Sequence, residues 1–454
     1  MTQEEVQKLE GLAAELVEKA RARGADVAEA TARAGWELSA KVRLGQPELV
    51  EEAGHRGVSL RVIKNQRVAV TSTSDLSADG IERCIGDALM LADLSEPDPF
   101  AGPADPAELA RPPFADLDLY DPTVESITAD EAVERATAAE QAALDFDRRI
   151  TLSEGATFSR TMGQSARVLS TGFSGTQRGS YVSIVVSPVA EDEGGKRRRG
   201  HHWSARRHLA ELESPDSVGR EAARRTLAKL GARKVPTTEA PIVFDPDVAR
   251  SLLGTFAGCI LGGAIWRKSS YLVEREGSLV ASPLVFVDDD PLILRGPGSR
   301  PYDGEGLASR KNVVVEAGVL KTFLLDCYSA RKLGKKSTAN AAVSGGSIGA
   351  STTNFVLRKG SLTRDEIIRS TQRGLYVTEM MGFGFNAITG DFSRGAAGFW
   401  IEDGKLGQPV SEVTVSSNLD AMLKNIDAVG DDLDMRTSTA SPTFRISKMT
   451  IAGT

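Results

Sequence analysis

Four groups of residues in this chain have the types and spacing for chemistry. Each also has a plainer structural reading. His201, His202 and His208 lie within eight residues in the string GHHWSARRH, beside the basic run 196–199. Imidazoles this close could hold a metal, yet no carboxylate or thiol falls in register to complete a ligand set. The basic neighbours would equally suit phosphate or nucleic acid. With Glu191, Asp192 and Glu193 just before it, the segment reads best as an exposed, charged hairpin tip or strand edge, with no catalytic role.

Gly345-Gly-Ser-Ile-Gly349 matches the G-x-S-x-G nucleophile elbow. An elbow needs a strand before it, a helix after it and a later His. Here a strand-like run follows, and the last His precedes Ser347, so a glycine turn is expected. Ser329-Ala-Arg-Lys332 fits S-x-x-K without the S-D-N or K-T-G companions, and reads as one turn of helix. Asp288, Asp289 and Asp290 alternate in direction along any strand, so they cannot converge on one cation. A solvated turn before Pro291 is expected. Cys84, Cys259 and Cys327 are too few and too scattered for a disulfide framework or a four-cysteine zinc site.

The elements that position these residues follow from periodicity. Val6, Leu9, Ala13, Leu16, Val17 and Ala20 share one helical face over residues 4–23. Strand-like runs follow at 36–44, 58–63 and 68–73, the last two joined by the polar hairpin connection 64–67. A helix starting at about Asp75 completes an α-β-β-β-α order, a small α/β layer domain over residues 1–105. A proline-rich linker covers 96–113. A helix at 128–145, a β-rich stretch at 150–189 and a helix at 219–230 form a middle domain, 114–232. From 238 to 454 the chain is mostly strand and glycine turn, which predicts a large, mainly antiparallel, curled or barrel-like body. The fold class is α+β. One clear helix lies in this last domain. Asp245 is its N-cap and Pro246 its first residue, and it is expected to run to about Ile265. Gly254, Gly258, Gly262 and Gly263 lower its intrinsic propensity and suggest close backbone packing on a buried helix.

The 454 residues carry 55 Lys and Arg against 62 Asp and Glu, a net charge near −7, which argues against a general nucleic-acid binder. The longest uncharged apolar stretch, 251–266, is shorter than a membrane span. The start of the chain is an acidic amphipathic helix rather than a signal peptide. A cytoplasmic protein is expected.

Several strings resemble the TldD/PmbA family: GVSLRVIKNQRVAVTSTSDLS at 57–77, PYDGEG at 301–306, AGVL at 317–320, and LDCYSARKLG at 325–334. The segment 374–414, with MGFGFNAITGDFSRGAAGFWIEDG, and the final ISKMTIAGT complete a resemblance over nearly the whole chain. The family pairs two related subunits into a zinc metalloprotease that trims peptides. One subunit, TldD, carries a helical H-E-x-x-x-H motif whose His residues bind zinc and whose Glu is the general base. Helix laid on helix, those positions are Gly254, Thr255 and Cys259 here, so the resemblance implies the other subunit type, TldE or PmbA. It implies no cofactor and no catalytic residue in this chain, with zinc in a TldD-like partner. It also implies a peptide substrate and a heterodimer, or a homodimer if the chain pairs with itself through its large C-terminal domain. A homodimer that binds peptides or proteins without cleaving them, or a modulator of DNA gyrase, are the alternatives. Within the signature, Asp391 and Arg394 stand three apart across an expected turn, close enough to pair and lock a loop. With Glu379 and Gly395 they are expected to form a wall of the peptide chamber.

Overall fold

The computed structural model describes residues 3–453. Helix Gln3–Ala22 buries the expected stripe Val6, Leu9, Ala13, Leu16, Val17 and Ala20. Strands Val27–Arg43, Gln46–Lys64 and Arg67–Thr73 form an antiparallel meander. The connection at 64–67 is a two-residue turn with Asn65 and Gln66 both at positive φ, the twist that a tight hairpin needs. Helix Ala78–Leu94 follows, capped by the Ser77 hydroxyl, which accepts from the Gly80 N–H. Ala28, Ala30, Ala32, Val58, Leu60 and Val62 on one sheet face meet Ile81, Ile85, Ala88 and Leu89 of that helix.

Helix Ala129–Leu144 starts with a capping box between Thr128 and Glu131. The hairpin Ile150–Leu169 and Phe173–Glu191 then pairs back on the first meander, from Glu29 opposite Leu169 to Val42 opposite Ala156. Residues 27–206 thus share one seven-stranded sheet. The proline-rich linker crosses over without interrupting it, so the first two sequence segments are parts of one layer. Helices Ala129–Leu144 and Pro215–Leu227 cover its second half.

The C-terminal body is built on a closed barrel of five strands. Lys405–Asn418 pairs with Asp391–Glu402, which pairs with Arg373–Met381. That strand lies parallel to Thr238–Phe244, which is antiparallel to Phe444–Ala452. Phe444–Ala452 returns to Lys405–Asn418 at Thr414 opposite Ala452 and closes the ring. Closure removes the open sheet edges that invite aggregation. The α+β class is therefore what the chain adopts, with mostly antiparallel sheets.

Helix Pro246–Ile260 packs against the barrel through Val248, Leu252, Leu253 and Phe256. It does not continue to Ile265 as its apolar pattern suggested. Leu261 is extended, the Gly262 N–H donates to the Leu324 carbonyl, and the Leu324 N–H donates to the Ile260 carbonyl. A bridge to a neighbouring segment replaces the intrahelical bonds, and a short helix, Gly262–Trp266, resumes beyond it. At Gly262 a Cβ would lie 2.1 Å from the Ser329 hydroxyl, so glycine is what allows helix Cys327–Leu333 to approach. No helix among the described residues is long and apolar enough to cross a membrane.

Candidate functional site

Helix Pro246–Ile260 buries one face and leaves Ser251, Gly254, Thr255 and Gly258 along the other. At Gly254 and Gly258 a Cβ would meet nothing within 4 Å, so these glycines do not serve close packing. They form an open, shallow strip instead. The Thr255 hydroxyl turns back to the Ser251 carbonyl at 3.0 Å. Cys259 points the opposite way, 1% exposed, its thiol 3.5 Å from the Thr255 carbonyl and pushed up to about 11 by burial. Five residues of α-helix turn the chain by about 140° net of one revolution, which is why positions 254 and 259 face different surroundings.

Arg394 lies beside this strip. Strand Asp391–Glu402 sends Phe392, Arg394 and Ala396 toward the barrel and helix, and Asp391, Ser393 and Gly395 outward. Arg394 Nη1 donates to the Ser251 hydroxyl at 3.1 Å. Asp391 instead accepts from the Thr389 hydroxyl at 2.7 Å and from Asn418 Nδ2 at 3.2 Å, and these bonds hold its carboxyl below the usual range. The expected Asp391–Arg394 pair does not form, because the segment is a strand rather than a turn and an odd spacing puts the two on opposite faces. Asp391 still organises the loop, through Thr389 and Asn418.

Glu379 is bound by Lys229, which also donates to the Arg199 carbonyl at 2.7 Å. His201 lies among the charges of Glu379, Lys229, Asp247 and Arg225, and desolvation by its neighbours lowers its proton affinity. Gly395 is not sterically required, since a Cβ there would make ordinary contact with Met381 at 3.5 Å. The tight glycines are Gly384 and Gly398, where a Cβ would fall 1.8 Å from the Ser393 and Tyr376 carbonyl oxygens. Between strands, Met381, Phe383 and Ile388 are exposed, Phe383 fully so. Of these partners, Ser251 and Asn418 were not anticipated. Ser251 had a readable signal, lying three residues before Gly254 on the same helical face; Asn418 and Lys229 had none.

The remaining sequence candidates divide. Gly345 and Gly346 make a hairpin turn between Ala341–Ser344 and Ser347–Ala350, as expected of a glycine turn. Ser329 lies on a helix, its hydroxyl donating to Asp326, the N-cap. The histidine segment is not a solvated tip throughout. His202 is buried against Glu213 at 3.2 Å, and His208 Nε2 lies 3.0 Å from the Asp118 carbonyl. The three aspartates are not a solvated turn either. Asp288 is clamped by Arg358 at 2.7 Å on both oxygens, and buried Asp289 accepts from the Thr353 N–H and from Asn340. Tertiary partners decide both cases. The three cysteines are free and buried.

Zinc finds no fit on this helix. Gly254 offers no ligand atom, the Thr255 hydroxyl is engaged by its own helix, and the Cys259 thiol is buried in its protonated form. Among the described residues no three His, Cys, Asp or Glu side chains gather closely enough to hold a metal ion.

A closed five-stranded barrel flanked by a helix with a bare outer strip, and joined to a broad N-terminal sheet, defines the class of protein. The PmbA/TldA metallopeptidase C-terminal, central and first domains match residues 237–453, 122–230 and 28–92. The chain belongs to the PmbA/TldD family. Metalloprotease PmbA of Escherichia coli O157:H7 is 38% identical over 92% of this chain and 90% of its own length. A PmbA homologue of Haemophilus influenzae is 36% identical over 99% and 97%. The crystal structure of a candidate modulator of DNA gyrase from Bacteroides thetaiotaomicron superposes with a TM-score of 0.92 at 27% identity, covering 98% of both chains. TldE from Thermococcus kodakarensis shares the fold with a TM-score of 0.87 at 21% identity, over 97% of this chain and 100% of its own.

Proposed function

We propose that this chain is the non-metal-binding, TldE/PmbA-type subunit of a TldD/TldE-type zinc metalloprotease that trims or degrades peptides in the cytoplasm. The observation that supports the reading is that helix Pro246–Ile260 carries no His and no Glu, with Gly254, Thr255 and Cys259 at the positions where the family resemblance implies two zinc ligands and a base. A zinc hydrolase needs three protein ligands and an open water position, and a base to take the water's proton. This chain's contribution is then to substrate: the bare helix strip, Arg394 and the loop held by Asp391 form one wall of a peptide cleft that a TldD-like partner completes. The identity to proteins named PmbA supports this assignment. Three unpaired thiols are in keeping with a reducing compartment.

Co-expression with a TldD-like chain, followed by purification on a tag carried by this chain alone, tests the proposal. The pair should co-elute and cleave unstructured peptides in a manner abolished by a chelator and restored by zinc. The chain alone should carry no stoichiometric zinc and cleave nothing. Peptidase activity of the chain by itself, or stoichiometric zinc lost on mutating any of its four histidines, would refute it.

A further inference from the structure

Arg394 is a cation without an ion pair among the described residues. The side chain is half-buried at the barrel mouth, with Ser251 as its hydrogen-bond partner and with Nε buried without an acceptor. No carboxylate among the described residues forms an ion pair with it, and burial alone acts on its charge. Two other guanidinium groups of this body have acids, Arg358 with Asp288 and Arg445 with Asp427, while Arg300 is buried with nitrogens that also lack a partner. Two acids of the site are engaged elsewhere, Glu379 by Lys229 and Asp391 by Thr389 and Asn418. Withdrawing a guanidinium from water is unfavourable unless an anion meets it. Departures from such rules tend to mark functional positions, where the compensating group arrives with a ligand.

The surroundings say what kind of anion. The guanidinium fork suits the two oxygens of a carboxylate. Ser251, accepting from Arg394, keeps its own hydroxyl hydrogen free to donate to the same group. Next to them the helix is bare at Gly254 and Gly258, which leaves room for a backbone to approach. The Ser393 N–H donates to the Gly384 carbonyl, so the segment carrying fully exposed Phe383 runs alongside Arg394, whereas Met381, opposite Gly395, points to the outward face. A charged anchor beside apolar surface matches a peptide residue that presents a carboxylate next to a hydrophobic side chain.

We propose that Arg394, assisted by Ser251, binds a carboxylate of the peptide substrate and so sets which peptides the cleft accepts. The carboxylate is either the C-terminal one or an Asp or Glu side chain. This rests on the peptide-handling reading above.

The test uses the full-length chain in complex with a metal-stripped TldD-like partner, and three fluorescent hexapeptides of one apolar sequence: one with a free C-terminal carboxylate, one amidated, and one amidated with an internal Glu. Anisotropy should show one carboxylate peptide binding about tenfold or more tighter than the neutral amide, a charge-assisted preference that weakens with added salt. The preferred peptide identifies the source of the carboxylate. Arg394→Gln should erase the preference, and Arg394→Lys should retain part of it. The melting temperature of Arg394→Gln should hold or rise, because no ion pair is lost. Equal affinities for all three peptides in the unmodified chain, or a preference surviving in Arg394→Gln, would overturn the carboxylate assignment while leaving peptide binding intact. A melting temperature lowered in Arg394→Gln would overturn it too, by making the arginine structural. Binding of none of the three peptides would instead overturn the underlying peptide-handling reading.

Discussion

Cys259 illustrates how a residue's chemistry is set by where it points. By type it could ligate a soft metal or act as a nucleophile, but only as a thiolate. Buried on the core side of its helix and pushed up to about 11, it stays a thiol at neutral pH. Cys84 and Cys327 are buried as well, with burial raising both. A disulfide-exchange reagent should therefore label none of the three rapidly in the native chain and all of them in denaturant. Fast native labelling would show that the helix opens. Asp391 teaches a related lesson. Its type and its family context pointed to an organising role, but its partners, Thr389 and Asn418, lie on a turn and on another strand.

At the scale of elements, the glycines sort into two kinds with opposite predicted effects. Gly254 and Gly258 sit inside helix Pro246–Ile260 with open space where a Cβ would be. Replacing either with Ala should stabilise the protein by about 1 kcal/mol, since Ala loses less backbone freedom than Gly on entering a helix. Gly384 and Gly398 have carbonyl oxygens 1.8 Å from the Cβ position, so Ala there must shift backbone. Each of those changes should cost about 2–3 kcal/mol or more. Denaturant midpoints of the four variants check the sorting; a stable Gly398→Ala would refute it. The sequence marked all four alike as turn or packing glycines, because spacing along a chain does not report what faces a Cα.

For the whole molecule, the shared sheet makes the N-terminal segment dependent on the middle one. Residues 1–105 cut from the rest would lose the ladder between Val27–Arg43 and Ile150–Leu169, and Glu29 would keep Arg61 but lose Arg167. A central strand left with an unpaired edge disfavours folding. That fragment should show no cooperative thermal transition by circular dichroism. Where the sheet meets the C-terminal body, Glu305 is buried beside Asp303 and Asp326, with Arg167 and Cys327 near it. Burial, then the charge of Asp303, raises it from 4.5 to about 8. The folded chain thus holds a proton that the unfolded chain releases. This contribution to stability is complete below pH 4.5 and is lost as pH rises toward 8, with a slope of up to about 1.4 kcal/mol per pH unit. Glu305→Gln should flatten the melting temperature over pH 5–8. An unchanged slope would show that the carboxyl titrates normally.

What the sequence determined by itself was what local pattern can carry. Helix stripes, the cap at Asp245, the hairpin connection at 64–67, and the α+β class all depend on residues within a few positions of each other. The missing H-E-x-x-x-H is likewise a property of one short string. The tertiary structure decided everything that needs two distant segments: the end of the helix at Leu261 through Leu324, the buried state of His202 and Asp289, and the joining of two sequence segments into one sheet. It also decided that Arg394 has Ser251, 143 residues away, as its hydrogen-bond partner. Partners that far apart in the chain leave no periodicity to read. Their meeting is fixed by barrel closure and sheet pairing, which come from the summed burial of many side chains rather than from any one of them.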